Sequence, residues 1–170
     1  MEMRVATVDD AAAIARLVYG CFSTYRTFMG ANWDPPTVQD QIADLEQRLG
    51  GVGVRTRIAV APPGRDMAAI CGWTPARTEE EPRDPVPGLA HLWMLFVDQP
   101  HWGSGLASDL LDWARTGMET ASYDAARLWT PTGQARARAF YERRGWYATG
   151  REQYNPGLGL NVVEYRVDFA

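Results

Sequence analysis

The segment from residue 89 to 118, LAHLWMLFVDQPHWGSGLASDLLDWARTGM, restricts the possible folds more than any other part of the chain. Residues 91–97, HLWMLFV, are apolar almost without a break, whereas a strand with one wet face would alternate. A central strand covered on both faces accounts for the run. A short polar turn follows, then Gly103-Ser104-Gly105. After these, Leu106, Leu110, Trp113, Ala114 and Gly117 recur at helical spacing. Strand, glycine turn and helix start in this order bring unpaired N–H groups and the positive end of a helix dipole to one point, which suits a phosphate. Glycines there permit positive φ and let a ligand reach the backbone. A Gly-x-Gly alone is also compatible with a plain turn. No Gly-Lys-Ser/Thr is present, and no acidic residue stands where a dinucleotide-binding unit holds its ribose.

The flanking sequence supplies the rest of the elements. Residues 3–8 read as a first strand, with Thr7 or Asp9 able to cap a helix that runs through Ile14, Leu17 and Val18 to Phe22. YRTFMGANWDPP, residues 25–36, reads as an irregular connection. Thr37 opens a second helix with Val38, Ile42, Leu45 and Leu49 on one face, and Gly50 and Gly51 end it. Residues 55–61 and 67–75 form a hairpin across PPGRD, followed by an acidic, proline-rich loop over 76–87. Beyond the central segment come a strand at 126–130, a helix at 134–144 stopped by Gly145, and strands at 146–152 and 162–169 joined through YNPGLGLN. The order is β-α-α-β-β-β-α-β-α-β-β. It predicts an α/β (α+β) fold: a mixed sheet with helices packed on it, as one domain over residues 1–170.

Composition removes several functional classes. The 170 residues carry a net charge of −4, and all 17 basic residues are arginine, in no basic run. Nucleic acid is therefore not the expected partner, and no lysine exists to form a Schiff base. No stretch approaches membrane-spanning length, and the N-terminal segment lacks the charged start and apolar centre of a secretion signal. Cys21 and Cys71 are far apart, and with only two histidines no metal-type spacing occurs, so no metal is expected. Two buried thiols in a reducing cytoplasm are the expectation.

A second segment, GQARARAFYERRGW (133–146), places Ala137, Phe140 and Tyr141 on one side of a short helix. By itself Tyr141 reads as a packing aromatic with a satisfied hydroxyl. Taken with the central segment, it makes the chain resemble the GNAT superfamily of acyl-CoA-dependent N-acyltransferases over nearly its whole length. The family's first motif is Gln/Arg-x-x-Gly-x-Gly/Ala after a strand; here it reads Trp102, Gly103, Ser104, Gly105, Leu106, Ala107. Trp102 departs from the pattern. The second motif, Asn-x-x-Ala-x-x-Leu-Tyr-x-x-x-Gly-Phe, appears as Gln134, Ala137, Phe140, Tyr141, Gly145 and Trp146, with Gln134 replacing Asn.

The resemblance implies a mostly antiparallel sheet and acetyl-CoA as co-substrate. Its pyrophosphate would rest on the backbone between Gly103 and Ala107, donors that do not depend on residue 102. Trp102 would either stack on the ligand or shield the turn. The pantetheine arm would lie along Leu95, Phe96 and Val97, with Gln134, Ala137 and Phe140 opposite. Tyr141 stands where members protonate the departing thiolate. His91 stands where many keep a glutamate; as base or relay its ordinary pKa near 6.5 would suit an amine substrate, while a purely structural histidine is the other reading. The acceptor would meet an aromatic wall of Tyr25, Phe28, Met29, Trp33 and Tyr154, with Asp34 and Asp40 nearby. Trp73, Trp93 and Trp129 are expected in the core. The expected activity is acetyl transfer to a small-molecule primary amine, directly in a ternary complex. The alternatives are a CoA-binding module without catalysis and a protein N-terminal or lysine acetyltransferase. A homodimer is compatible with the exposed sheet edges.

Overall fold

In the computed structural model, which describes residues 1–62 and 66–170, seven strands form one sheet in the order β1-β2-β3-β4-β5-β7-β6. The strands are β1 (Glu2–Val5), β2 (Arg55–Ala61), β3 (Asp66–Arg77), β4 (Pro85–Val97), β5 (Ala125–Pro131), β6 (Tyr147–Asn155) and β7 (Leu160–Asp168). The helices are α1 (Ala11–Phe22), α2 (Arg26–Met29), α3 (Val38–Leu49), α4 (Leu106–Thr120) and α5 (Ala135–Arg143). All neighbouring strands are antiparallel except β4 and β5, which run parallel as a strand–helix–strand crossover through α4 requires.

Local sequence chemistry accounts for most boundaries. Thr37 caps α3 by accepting a hydrogen bond from the Asp40 N–H, and Gly50 ends the helix. Asp10 accepts from the Thr7 N–H at 2.8 Å and takes a bidentate bond from Arg4 at 2.7 and 2.8 Å, tying the start of α1 to β1. The PPGRD turn falls partly at 63–65, outside the described residues.

Two elements differ from the sequence expectation. The connection at 25–36 is not wholly irregular, because Arg26–Met29 form the short helix α2. There Phe22, Tyr25, Phe28 and Trp33 pack ring against ring, with Tyr25 stacked on Trp33 at 5.5 Å, and that cluster holds the backbone in a turn. β4 also starts at Pro85, inside the expected loop, because Arg77 of β3 pairs with Pro85 and draws the segment into the sheet.

The two faces of the sheet carry separate cores. Helices α4 and α5 cover one, where Leu110, Ala114 and Met118 meet Ala90, Leu92, Ala126 and Tyr165. Helices α1 and α3 cover the other, where Ile14, Val18 and Leu45 meet Ile58 and Ile70. Cys21 and Cys71 are both free and buried.

Candidate active site

A break in the sheet builds the site. The parallel ladder between β4 and β5 contains Leu89–Ala125, Ala90–Ala126 and His91–Arg127, and it ends there. β4 continues six residues further to Val97, and β5 continues to Pro131, each bonded only on its far side. The strands splay, leaving unpaired backbone along the facing edges. A cleft of about 1100 Å³ occupies the opening, lined by residues 91–97 of β4, 128–131 of β5, and side chains of α1, α3 and α5.

The glycine turn follows directly on Trp102, which lines the cleft. Gly103 (φ 81°) and Gly105 (φ 88°) are both left-handed, and Gly105 is the N-cap of α4. A Cβ at either would meet no atom within 4 Å, so their outer side is open. Ser104 N–H bonds to His101, and Ser108 and Asp109 N–H bond back to Gly105; the N–H groups of Gly103, Gly105 and Ala107 take no part. Leu106 is different, with its side chain in the core at 5% exposure and its N–H 3.4 Å from Ser104 Oγ. Three free donors at a helix N-terminus, on a surface no side chain crowds, fit a phosphate group.

Trp102 shields the end of β4. Its indole Nε1 donates to the Val97 carbonyl at 2.9 Å, and the Arg136 guanidinium carbon lies 4.0 Å over its ring. Leu95, Phe96, Val97, Trp102, Gln134, Ala137 and Phe140 all line the cleft, as the motifs imply. Cys21, absent from the sequence expectation, also lines it and donates weakly to the Val97 carbonyl. Burial, aided by Asp98, pushes its thiol up to about 12, so it stays protonated.

Tyr141 lies on α5 at 7% exposure, against Phe140, Trp146 and Tyr165, and faces the cleft. Burial pushes its hydroxyl pKa far up, so the proton is held at every working pH. Its oxygen is not among the sealed, unpartnered polar atoms, which include His91 Nδ1 and Trp93 Nε1.

His91 lines the cleft at the point of splay, but not with the ordinary pKa anticipated from its residue type. Burial, then the charges of Arg127 and Arg48, hold it down at about 4. The imidazole is therefore neutral at pH 7.

The acceptor wall differs from the one the sequence suggests. Tyr25 lines the cleft, whereas Phe28, Met29 and Trp33 pack into the core under α1. Trp33 Nε1 donates to Leu158 O at 2.9 Å, and Phe28 fills the space beside Gly133. Tyr154 is 62% exposed and lies outside the lining. Trp93 and Trp129 line the cleft instead, joined by Asp40, Asp44 and Arg48 of α3; Trp73 remains in the core as anticipated. Trp93 reaches this position through a β-bulge. Gly72 pairs with Met94 and Trp73 with Leu92, so Trp93 is the extra residue of β4 and its indole lies over Gly72, where a Cβ would approach it to 2.6 Å. The bulge is the feature sequence reading lacked, since a regular strand would send Trp93 and Met94 to opposite faces. Among the described residues no group of three or more His, Cys, Asp or Glu is arranged to hold a metal, and no helix is long and apolar enough to cross a membrane.

The fold recurs in solved structures. A GNAT-family acetyltransferase from Staphylococcus aureus Mu50 superposes with a TM-score of 0.74 at 15% identity, covering 98% of each chain. PaiA N-acetyltransferase from Thermoplasma acidophilum, solved with coenzyme A, matches at 0.68 and 10% identity over 99% of this chain and 100% of its own. The ribosomal-protein-S18-alanine N-acetyltransferase from Escherichia coli matches at 0.68 and 15% identity over 98% and 92%. No curated protein matches the chain in sequence. The sequence model of the acetyltransferase (GNAT) family matches residues 21–146. On that match, which spans most of its length, the chain belongs to the GNAT family of acetyltransferases.

Proposed function

We propose that this protein transfers an acetyl group from acetyl-CoA to the primary amine of a small molecule, directly, with both substrates bound together. One observation carries the reading: a single cleft joins Trp102, the residue before the donor-rich glycine turn, to the splay between β4 and β5 and to a compartment lined by Trp93, Trp129 and Asp40. The coenzyme A in the Thermoplasma structure supports the choice of donor.

Bound acetyl-CoA supplies an activated thioester. The protein's own groups do the rest. Free N–H groups of Gly103, Gly105 and Ala107 take the pyrophosphate. The unpaired edge of β4 near Leu95 and Phe96 aligns the pantetheine arm and offers an N–H to the thioester carbonyl. Gln134, Ala137 and Phe140 close the opposite wall. Tyr141 Oη, protonated in the resting site, gives its proton to the departing sulfur and regains one from solvent as the products leave. His91, held neutral, accepts the proton that the acceptor nitrogen sheds on attack.

The acceptor compartment combines two indoles with carboxylates. Asp44 is already bound to Arg48 at 2.7 Å, and Asp40 bonds to Thr37 at 2.6 Å on the exposed helix start. Arg48 lies over the Trp93 ring at 5.6 Å and Arg151 over Trp129 at 5.5 Å, so the indoles act as apolar walls, and such walls beside carboxylates suit an amine on an apolar or ring-bearing body.

The test is thiol release from acetyl-CoA across a panel of arylalkylamines, polyamines, amino acids, and lysine-bearing and alanine-terminated peptides. Turnover confined to small amines is expected. Faster acetylation of peptides would replace the small-molecule reading with a protein substrate, and release of thiol with no acylated product would remove the transferase step.

A further inference from the structure

We infer that Arg136, positioned by Trp102, is a pyrophosphate-binding residue of this enzyme and replaces the polar side chain that the motif places at residue 102. The inference rests on the acetyl-CoA reading and concerns one side chain of that site. Trp102 immediately precedes Gly103, whose N–H is free, and its ring is fixed by the Nε1 bond to Val97 O at 2.9 Å. Arg136, the second residue of α5, lays its guanidinium over that ring at 4.0 Å, and both side chains line the same cleft. Stacking occupies the flat face of a guanidinium and leaves its in-plane N–H donors free to bind an anion. Among the described residues no carboxylate pairs with Arg136, although nine ion pairs occur elsewhere. An unpaired cation held on a rigid platform, one residue before the first of three unused backbone donors, suits a doubly charged oxyanion group. Arg136 is exposed on a helix surface, so replacing it leaves the core intact.

The experiment is isothermal titration of the purified protein with coenzyme A and, separately, with 3′-dephospho-coenzyme A. Arg136→Ala should weaken both by about tenfold, the loss of one charge-assisted contact. Arg136→Lys should recover part of the loss, since it keeps the charge without the fork. Trp102→Leu should weaken both ligands, and the double variant should bind no worse than Arg136→Ala, because Trp102 acts through the guanidinium. A loss seen with coenzyme A but not with the dephospho form would overturn the pyrophosphate assignment in favour of the 3′-phosphate. Unchanged affinity in Arg136→Ala would overturn the role altogether, and additive losses in the double variant would overturn positioning by Trp102. Failure of the unsubstituted protein to bind coenzyme A would instead overturn the acetyl-CoA reading, and this inference with it.

Discussion

His91 of β4 and Arg127 of β5 are the last paired residues of the only parallel ladder in the described sheet, and the cleft begins where their pairing ends. The imidazole thus lies at the apex of the splay with a permanent cation beside it. Burial and that cation, with Arg48 across the cleft, keep the ring neutral at about pKa 4.

Stability should report this directly. An unfolded histidine takes up its proton near pH 6.5, whereas folded His91 resists until about pH 4, so the unfolded chain binds more protons in that interval. Its contribution is complete above pH 6.5 and is lost as pH falls toward 4, by about 3 kcal/mol at most. Urea unfolding of His91→Gln between pH 4 and 7 should show a flatter dependence than the unsubstituted protein. An unchanged slope would mean the ring is not desolvated. In kinetics, the acid limb of kcat/KM should lie near pH 4 rather than 6.5 if His91 is the acceptor of the proton.

Tyr141→Phe keeps the ring packing against Trp146 and Tyr165 and removes only the hydroxyl. Proton donation to a leaving group is worth roughly 100-fold or more in rate. Steady-state kinetics should show kcat down by at least that factor, with coenzyme A affinity within about threefold, since the phosphate grip is elsewhere. Unaltered kcat would remove Tyr141 from the reaction.

Gly105→Ala tests the turn. With φ at 88° a Cβ is strained, even though nothing stands within 4 Å of it. The expected cost is about 1–2 kcal/mol of stability, from left-handed backbone alone. Thermal denaturation should therefore shift downward, and the protection that acetyl-CoA gives should shrink as the N–H donors tilt away. Full protection would show that the backbone of this turn does not hold the ligand.

Asp10→Asn tests the tie between β1 and α1. The Arg4 bond, then the Thr7 N–H and hydroxyl, hold the Asp10 carboxyl pKa below its usual value against burial. The folded state binds its proton later than the unfolded one, so this stabilisation is present above pH 4 and disappears as pH drops through the lowered pKa. Arg4 is 43% exposed, so water screens the pair, and a loss of about 1 kcal/mol at pH 7 is expected by urea denaturation. Once pH has fallen through that lowered pKa, the variant and the parent should converge. A difference that persists there would assign the effect to packing rather than charge.

What the sequence determined by itself was whatever a short window contains. Helical spacing marked α1, α3 and α4, the Gly103 and Gly105 turn announced its own positive φ, and β2 was readable from Arg55 to Ala61. The paired motifs placed Tyr141 and Gln134 on the wall of the same cleft as Leu95 and Val97. Tertiary structure decided what depends on register and on partners far away. Trp93 and Met94 share one face because a bulge opposite Gly72 breaks the alternation there, and a bulge is set by two strands together. Trp33 leaves the expected acceptor wall because its indole finds Leu158, 125 residues along the chain. Trp102 meets Arg136 of a different element, bringing a cation back to a motif that lacks one. Local periodicity says which face of an element is apolar; which groups meet across a cleft is settled only when the sheet closes and its strands part at His91 and Arg127.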